Sequence, residues 1–312
     1  QDIELRISTL PTAFGEKLVM RIFDPEVLVR SFDELGFAEE DQKRWKDMTD
    51  RPNGIVLVTG PTGSGKTTTL YSTLKSLATP EVNVCTIEDP IEMIEPAFNQ
   101  MQVQGQIELG FAEGVRALMR QDPDIIMVGE IRDLETAEMA VQSALTGHLV
   151  LSTLHTNDAP SAVTRLLELG VAPYLLNATL NGVMAQRLVR TLCPHCKQKI
   201  EPHRAEDEAA WEALVAPWKS NKPGKLYKPV GCLECRMTGF QGRVGIYETL
   251  MFSSQIKTLV AANADIPTIR EQAFKEGMKP LRISGAMKVG AGLTTIDEIL
   301  KVAPPVRDSS AR

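Results

Sequence analysis

Nine consecutive residues carry the clearest chemistry in the chain: Gly60, Pro61, Thr62, Gly63, Ser64, Gly65, Lys66, Thr67 and Thr68. Gly60-x-x-x-x-Gly65-Lys66-Thr67 is the full P-loop pattern. A glycine loop of this kind turns backbone N–H groups inward around a phosphate chain. A helix starting at its end adds partial positive charge. Lys66 supplies a mobile cation for β- and γ-phosphates, and Thr67 a hydroxyl for Mg²⁺. Carboxylates recur at the ends of apolar runs. Glu88, Asp89 and Glu92 follow the run Val82 to Ile87, and Glu130 closes the run that begins at Asp124. Carboxylates at such strand ends lie where α/β folds place ligands. Glu130 occupies the Walker B position, where an acid holds Mg²⁺ through water or orients the attacking water.

Two further groups of residues have chemical potential. His148 and His155 flank an apolar run and are seven positions apart. On a pleated strand an odd spacing puts them on opposite faces, so they do not share a metal. His155, at the carboxyl end, is the candidate phosphate sensor, and His148 is read as structural. Cys193-Pro-His-Cys196 and Cys232-Leu-Glu-Cys235 form two knuckles, 35 residues apart from Lys197 to Gly231. Four thiolates at that spacing suit a tetrahedral Zn²⁺ with no open position, hence a structural one. A redox dithiol and a disulfide pair are the rival readings. Cys85, inside an apolar strand, is read as packed.

These residues need elements to hold them. Gly54 to Thr59 is a buried strand leading into the loop, and the segment through Leu77 is helix-compatible. Ile3, Leu5 and Ile7 alternate with polar residues, and Glu16 to Phe23 does the same across a Pro11–Gly15 turn, giving an antiparallel hairpin. It reads as the remnant of a preceding α/β domain. Each strand carries an arginine, Arg6 and Arg21. Further strands are expected at Val82–Ile87, Asp124–Glu130 and His148–His155. Helices are expected at Ser31–Thr49, Gly114–Arg120, Asp133–Leu145, Pro160–Leu169 and Pro173–Val189. From Val244 onward the pattern reads as helical, with helices at Pro267–Gly277 and after a capping box at Thr295–Glu298. The tail Ala303–Arg312 reads as disordered. Alternating strands and helices imply a mostly parallel sheet covered by helices.

Composition narrows the class. The chain has 312 residues, 43% apolar and 24% charged, with net charge −6. No apolar run approaches the roughly 20 residues of a membrane span. The chain opens directly on a strand-like segment at Gln1, which reads as an N-terminal truncation. A RecA-like nucleic-acid motor, such as a helicase or DNA-uptake ATPase, is the alternative function. It needs a basic or aromatic strand-binding surface. Negative net charge and only 9 Phe, 4 Tyr and 3 Trp speak against it. No guanine-recognition signature is visible, so ATP is expected over GTP.

Taken together, the P-loop, Thr86-Ile-Glu-Asp-Pro-Ile-Glu92, Arg120 through Asp133, Thr146 through Asn157 and the two cysteine knuckles resemble the traffic ATPases of type II secretion and type IV pilus assembly (the GspE/PulE/PilB type). In that resemblance these segments are the Walker A, Asp, Walker B and His boxes, in order. It implies an α/β fold: a RecA-like P-loop ATPase core with the N-terminal hairpin remnant, a four-cysteine zinc subdomain and a C-terminal helical region. The units implied are 1–50 (end of the N-terminal domain and linker), 51–190 (ATPase core), 191–243 (zinc subdomain) and 244–312 (helical subdomain and tail). The resemblance further implies a homo-hexamer at the cytoplasmic face of the bacterial inner membrane. It would work with platform and docking proteins, without nucleic acid. Hydrolysis would power assembly of a pilus or pseudopilus. Glu130 ranks first as the acid that activates water, with Glu88 as the alternative. His155 and His148 lie near the nucleotide or a subunit contact. Arg6 and Arg21 match arginines that reach the phosphates on domain closure, and ATP, Mg²⁺ and Zn²⁺ are the implied cofactors.

Overall fold

A computed structural model describes residues 4–23, 29–200, 205–218 and 220–305. The chain starts with β1 (Glu4–Thr12) and β2 (Gly15–Phe23), followed by α1 (Phe32–Leu35) and α2 (Glu39–Thr49). The expected single helix over 31–49 is therefore two. Gly36 ends α1 in the left-handed region at φ 89°, and its N–H caps the helix. The core then runs β3 (Gly54–Thr59), α3 (Lys66–Leu77), β4 (Val84–Glu88), β5 (Asn99–Gln102), α4 (Phe111–Leu118), β6 (Ile125–Val128), α5 (Leu134–Leu145), β7 (Leu149–Leu154), α6 (Ala159–Leu169) and α7 (Pro173–Thr179). It continues with β8 (Leu180–Leu192), β9 (Gln198–Ile200), α8 (Ala205–Val215), β10 (Leu226–Lys228) and β11 (Phe240–Met251). Four helices close the described chain: α9 (Ser254–Ala261), α10 (Ile266–Lys275), α11 (Leu281–Gly290) and α12 (Ile296–Val302).

The central sheet has seven strands in the order β11-β8-β3-β7-β6-β4-β5. All neighbours are parallel except β11 against β8. Every residue of β3, β4, β6 and β7 is buried, as expected for strands covered on both faces. One face packs on Ile55, Leu57, Ile87 and Ile126 with α4 to α7, and the other on Val56, Val58, Met127 and Leu151 with α2 and α3. The mostly parallel, helix-covered sheet expected from the sequence is what forms.

Two expectations are corrected. The helix expected over Pro173–Val189 stops at Thr179, and Leu180–Leu192 is a strand. It is buried on both faces for most of its length, so no period-2 alternation betrays it. The stretch after Val244 begins not as helix but as β11, paired to β8 from Phe240 to Met251. The cysteine segment is thus an excursion between two paired strands of the central sheet.

The hairpin registers Arg6 opposite Arg21, as Cα partners, and forms a separate two-stranded sheet. The side chains of both arginines lie outside the described residues, as do Ile3 and the end of the tail from residue 306. Among the described residues no helix is long and apolar enough to cross a membrane.

Candidate active site

β3 delivers the P-loop to the carboxyl edge of the sheet. Gly60 leaves the strand at φ 153°, and Gly65 starts α3 in the left-handed region at φ 85°. A side chain would strain the backbone at either position. The cleft that follows encloses about 600 Å³. Thr62 to Thr68 form one wall, and the ends of β4, β6 and β7 bring Glu88, Glu92, Glu130 and His155 to the opposite side. The sheet therefore gathers the loop, the acids and the histidine named from sequence.

Lys66 lies at the mouth of the loop. Its Nζ donates to the Gly60 carbonyl at 2.8 Å and the Pro61 carbonyl at 3.1 Å. Burial pushes its pKa down to about 8; Glu130 opposes that shift and Arg187 adds to it. Thr67 lines the cleft one residue further along α3, where a hydroxyl can serve a cation bound to phosphates.

The two acids have different surroundings. Glu130 pairs with Arg132, and its Oε2 lies 3.4 Å from His155 Nε2. Burial pushes its carboxyl up, but Arg132 and His155 outweigh this, and the net direction is below the ordinary range. It is an ionised carboxylate facing the cleft between two basic groups. Glu88 is 3% exposed. Its Oε2 accepts from the Tyr71 hydroxyl at 2.6 Å, and its Oε1 from Thr86 Oγ1 at 2.6 Å and Gln100 Nε2 at 3.2 Å. Three donors hold Glu88 in place. Burial, with Glu88 adding to it, pushes the Tyr71 phenol far above its usual value, so Tyr71 acts as a fixed donor.

His148 sits at the other end of β7. Its Nδ1 is 2.8 Å from the Ser143 carbonyl and 3.1 Å from Thr146 Oγ1, a structural closure of the turn after α5. Cys85 is fully buried, as expected.

Arg132 and Arg243 also line the cleft, and neither is among the candidates the sequence offers. Arg132 stands within the segment from Arg120 through Asp133, two residues from Glu130. Arg243 had no signal, because β11 was read as something else.

The four cysteine sulfurs lie within 4.8 Å of one another, and all are free thiols. Sγ–Sγ separations are 3.8 Å for Cys193–Cys232, 3.8 Å for Cys196–Cys235 and 3.7 Å for Cys232–Cys235. A tetrahedron with metal–sulfur bonds of about 2.3 Å has edges of about 3.8 Å. Backbone N–H groups of Gly231, Cys232 and Gly239 point at the sulfurs at 3.1–3.3 Å. Thiolates accept such bonds, so the cluster fits a structural zinc, and sulfurs 3.7–3.8 Å apart are spaced for a shared metal rather than for an S–S bond.

Loop, acids and sheet order define a P-loop nucleotide-binding protein of the RecA-like α/β class. The family model described as "Type II/IV secretion system protein" matches residues 1–301, and the chain belongs to that family. It is 62% identical over 304 residues to the type IV pilus assembly ATPase TfpB of Acinetobacter baylyi, covering 97% of this chain and 51% of that protein. It is 46% identical over 302 residues to type II secretion system protein E of Pseudomonas aeruginosa, covering 97% of this chain and 59% of that one. The chain thus spans about half the length of such relatives. A crystal structure of the pilus retraction motor PilT with bound ADP superposes with a TM-score of 0.67 at 27% identity, over 96% of this chain and 74% of PilT. These relatives are pilus and secretion proteins, and none is named as a nucleic-acid motor.

Proposed function

We propose that this chain hydrolyses ATP and couples the reaction to assembly of a type IV pilus or, as a second reading, a secretion pseudopilus. The pilus comes first because the relative of 62% identity is named a type IV pilus assembly ATPase. The observation that carries the ATPase reading is the cleft itself. A P-loop with its lysine faces an ionised Glu130 flanked by Arg132 and His155 across one sheet edge.

Loop N–H groups and Lys66 bind the phosphate chain. Thr67 would hold Mg²⁺, which when bound supplies charge at the β- and γ-oxygens. Glu130 orients or deprotonates the attacking water, because it faces the cleft and has no tight set of neutral donors. Glu88, held by Tyr71, Thr86 and Gln100, shapes the wall of the cleft. His155 stays beside Glu130 and the γ-phosphate. Arg6 and Arg21 come to the phosphates when the hairpin, with residues preceding it, closes on the core of this subunit or of a neighbour in a homo-hexamer. Cys193, Cys196, Cys232 and Cys235 hold a structural Zn²⁺ that stiffens the excursion between β8 and β11. The units remain those named above, 1–50, 51–190, 191–243 and 244–312, with β11 joining the last to the core sheet. The motor works at the cytoplasmic face of the inner membrane through platform and docking proteins.

The test is Mg²⁺-dependent phosphate release by the purified chain. Lys66→Ala and Glu130→Gln should each lower turnover by about 10²-fold or more. Wild-type turnover in either variant would sink the assignment of that residue.

A further inference from the structure

Two residues of β8 lie close against the P-loop, and one of them bonds it. Gln186 is 1% exposed. Its Nε2 donates to the Ser64 carbonyl at 2.8 Å, and its Oε1 accepts from Thr69 Oγ1 at 2.8 Å. Ser64 belongs to the loop and Thr69 to the first turns of α3, on either side of Gly65. One amide therefore ties the end of the loop to the helix that follows. The next residue, Arg187, donates from Nη1 to the Gln186 carbonyl at 2.9 Å and from Nη2 to the Asn157 carbonyl at 2.8 Å.

The loop rests on this dipeptide at both ends. A Cβ added to Gly60 would meet the Gln186 carbonyl oxygen at 2.5 Å and Arg187 Nη1 at 3.0 Å; one added to Gly65 would meet Gln186 Nε2 at 2.8 Å. The glycines at the two ends of the motif are thus needed for close approach to β8 as well as for backbone conformation. A buried amide in a sheet strand costs free energy unless both of its ends are bonded. A leucine would fill this position without that requirement, so packing alone does not explain a glutamine here.

The orientation of one peptide follows from these contacts. The Ser64–Gly65 bond is trans, so its C=O and N–H point in opposite directions. With the Ser64 carbonyl held toward Gln186, the Gly65 N–H is aimed away from β8, into the cleft. Donors fixed in advance need no reorganisation when a phosphate arrives. We infer that Gln186 is a positioning residue for the phosphate cradle, orienting the Ser64–Gly65 peptide, while Arg187 seats the Gly60 end. The inference rests on the reading of the cleft as an ATP site.

Three variants test it. Gln186→Met keeps the length and removes both hydrogen bonds. Gln186→Glu keeps an acceptor for Thr69 but loses the donor to Ser64. Thr69→Val removes only the tie to the helix. Both Gln186 variants should raise the Kd for ADP and the KM for ATP by about tenfold, roughly one lost charge-oriented hydrogen bond. The kcat should change by no more than about twofold, since ground and transition states share the cradle. Thr69→Val should have a smaller effect. In ¹H–¹⁵N spectra, ADP should shift the Gly65 amide strongly in the wild type and weakly in the Gln186 variants. A purely structural role would instead lower the melting temperature of the free protein and leave the Kd of the folded fraction unchanged. Should Gln186→Met fail to fold, Gln186→Glu and the Gly65 amide decide. Wild-type ADP binding with an unchanged Kd in the folded Gln186 variants would overturn this inference alone. No ADP binding by the wild type would overturn the ATP reading and the inference with it.

Discussion

Raising the pH tests the placement of Lys66. Its ammonium is drawn under the loop by the Gly60 and Pro61 carbonyls, and its pKa is pushed down to about 8. Burial is the largest cause; Glu130 favours the charged form and Arg187 opposes it. An ordinary lysine titrates near about 10.5. The sign for binding is therefore fixed. The free protein carries the charge below pH 8 and loses it above. A bound polyphosphate favours the ammonium and keeps the proton. Above about pH 8 each further unit should raise the apparent Kd for ADP about tenfold, with uptake of about one proton per ADP bound. The sign for folding follows the same pKa: burial of the charge destabilises the folded state below pH 8, and that cost fades as the pH rises past it. The assay is calorimetric titration of ADP from about pH 7 to about pH 9.5, in two buffers of different ionisation enthalpy, so that proton uptake is read separately from affinity. Lys66→Arg keeps its charge throughout this range and should show a flat Kd. A flat wild-type Kd would refute the argument, as would equal slopes in the wild type and Lys66→Arg.

Elemental analysis of chain purified without chelator should give about one zinc per chain, and Cys235→Ser should lose it. The absence of stoichiometric metal would count against the zinc cluster. Gly182→Ala should destabilise the chain by about 1–3 kcal/mol in chemical denaturation through overpacking. A Cβ there would meet Met48 Sδ at 2.2 Å and the Leu250 carbonyl oxygen at 2.6 Å, where β8 lies between α2 and β11. An unchanged midpoint would show that α2 yields at this contact.

Local signals carried most of the site. The P-loop is one uninterrupted segment, and Glu88, Glu130 and His155 each close an apolar run, so residue type and position suffice to find them. Long-range contacts were not legible. Glu88 and Glu130 look alike in sequence, and only the fold brings Tyr71 and Gln100 to the first and His155 to the second. The larger loss was β8. Leu180–Leu192 holds three Leu, two Arg and one each of Met, Ala and Gln, all compatible with helix. Its burial on both faces erased the alternation that marks a half-buried strand. Missing β8 meant missing its partner β11, and with them Gln186, Arg187 and Arg243. The fold class survived because it rests on the strand–helix alternation up to α6. The architecture around the loop did not, because it depends on the pairing of two strands about 50 residues apart.

The hairpin raises the question of what completes the cleft. Cross-strand partners share a face, so Ile7 with Met20 and Leu5 and Leu18 beside them form one apolar side. They are exposed by 61%, 58%, 51% and 52%. A two-stranded hairpin whose apolar face is uncovered among the described residues is marginal in water, so the proposed closure on a core would also bury this face. The arginine pair Arg6 and Arg21 sits in register on this element. An arginine brought to developing phosphate charge is worth about 10³-fold or more in turnover, whereas the proposed site leaves ground-state phosphate binding to the loop and Lys66. Arg6→Ala and Arg21→Ala should therefore lower kcat by about that factor in the assembled full-length protein and leave the Kd for ADP within about twofold. The measurement is single-turnover hydrolysis beside equilibrium ADP binding. Equal kcat in both variants would mean that the hairpin holds the assembly together without touching the chemistry. A matching loss in Kd would place the arginines on the ground-state phosphates instead. Only a kcat loss without a Kd loss makes closure of the hairpin part of the catalytic step, and with it the link between hydrolysis and motion.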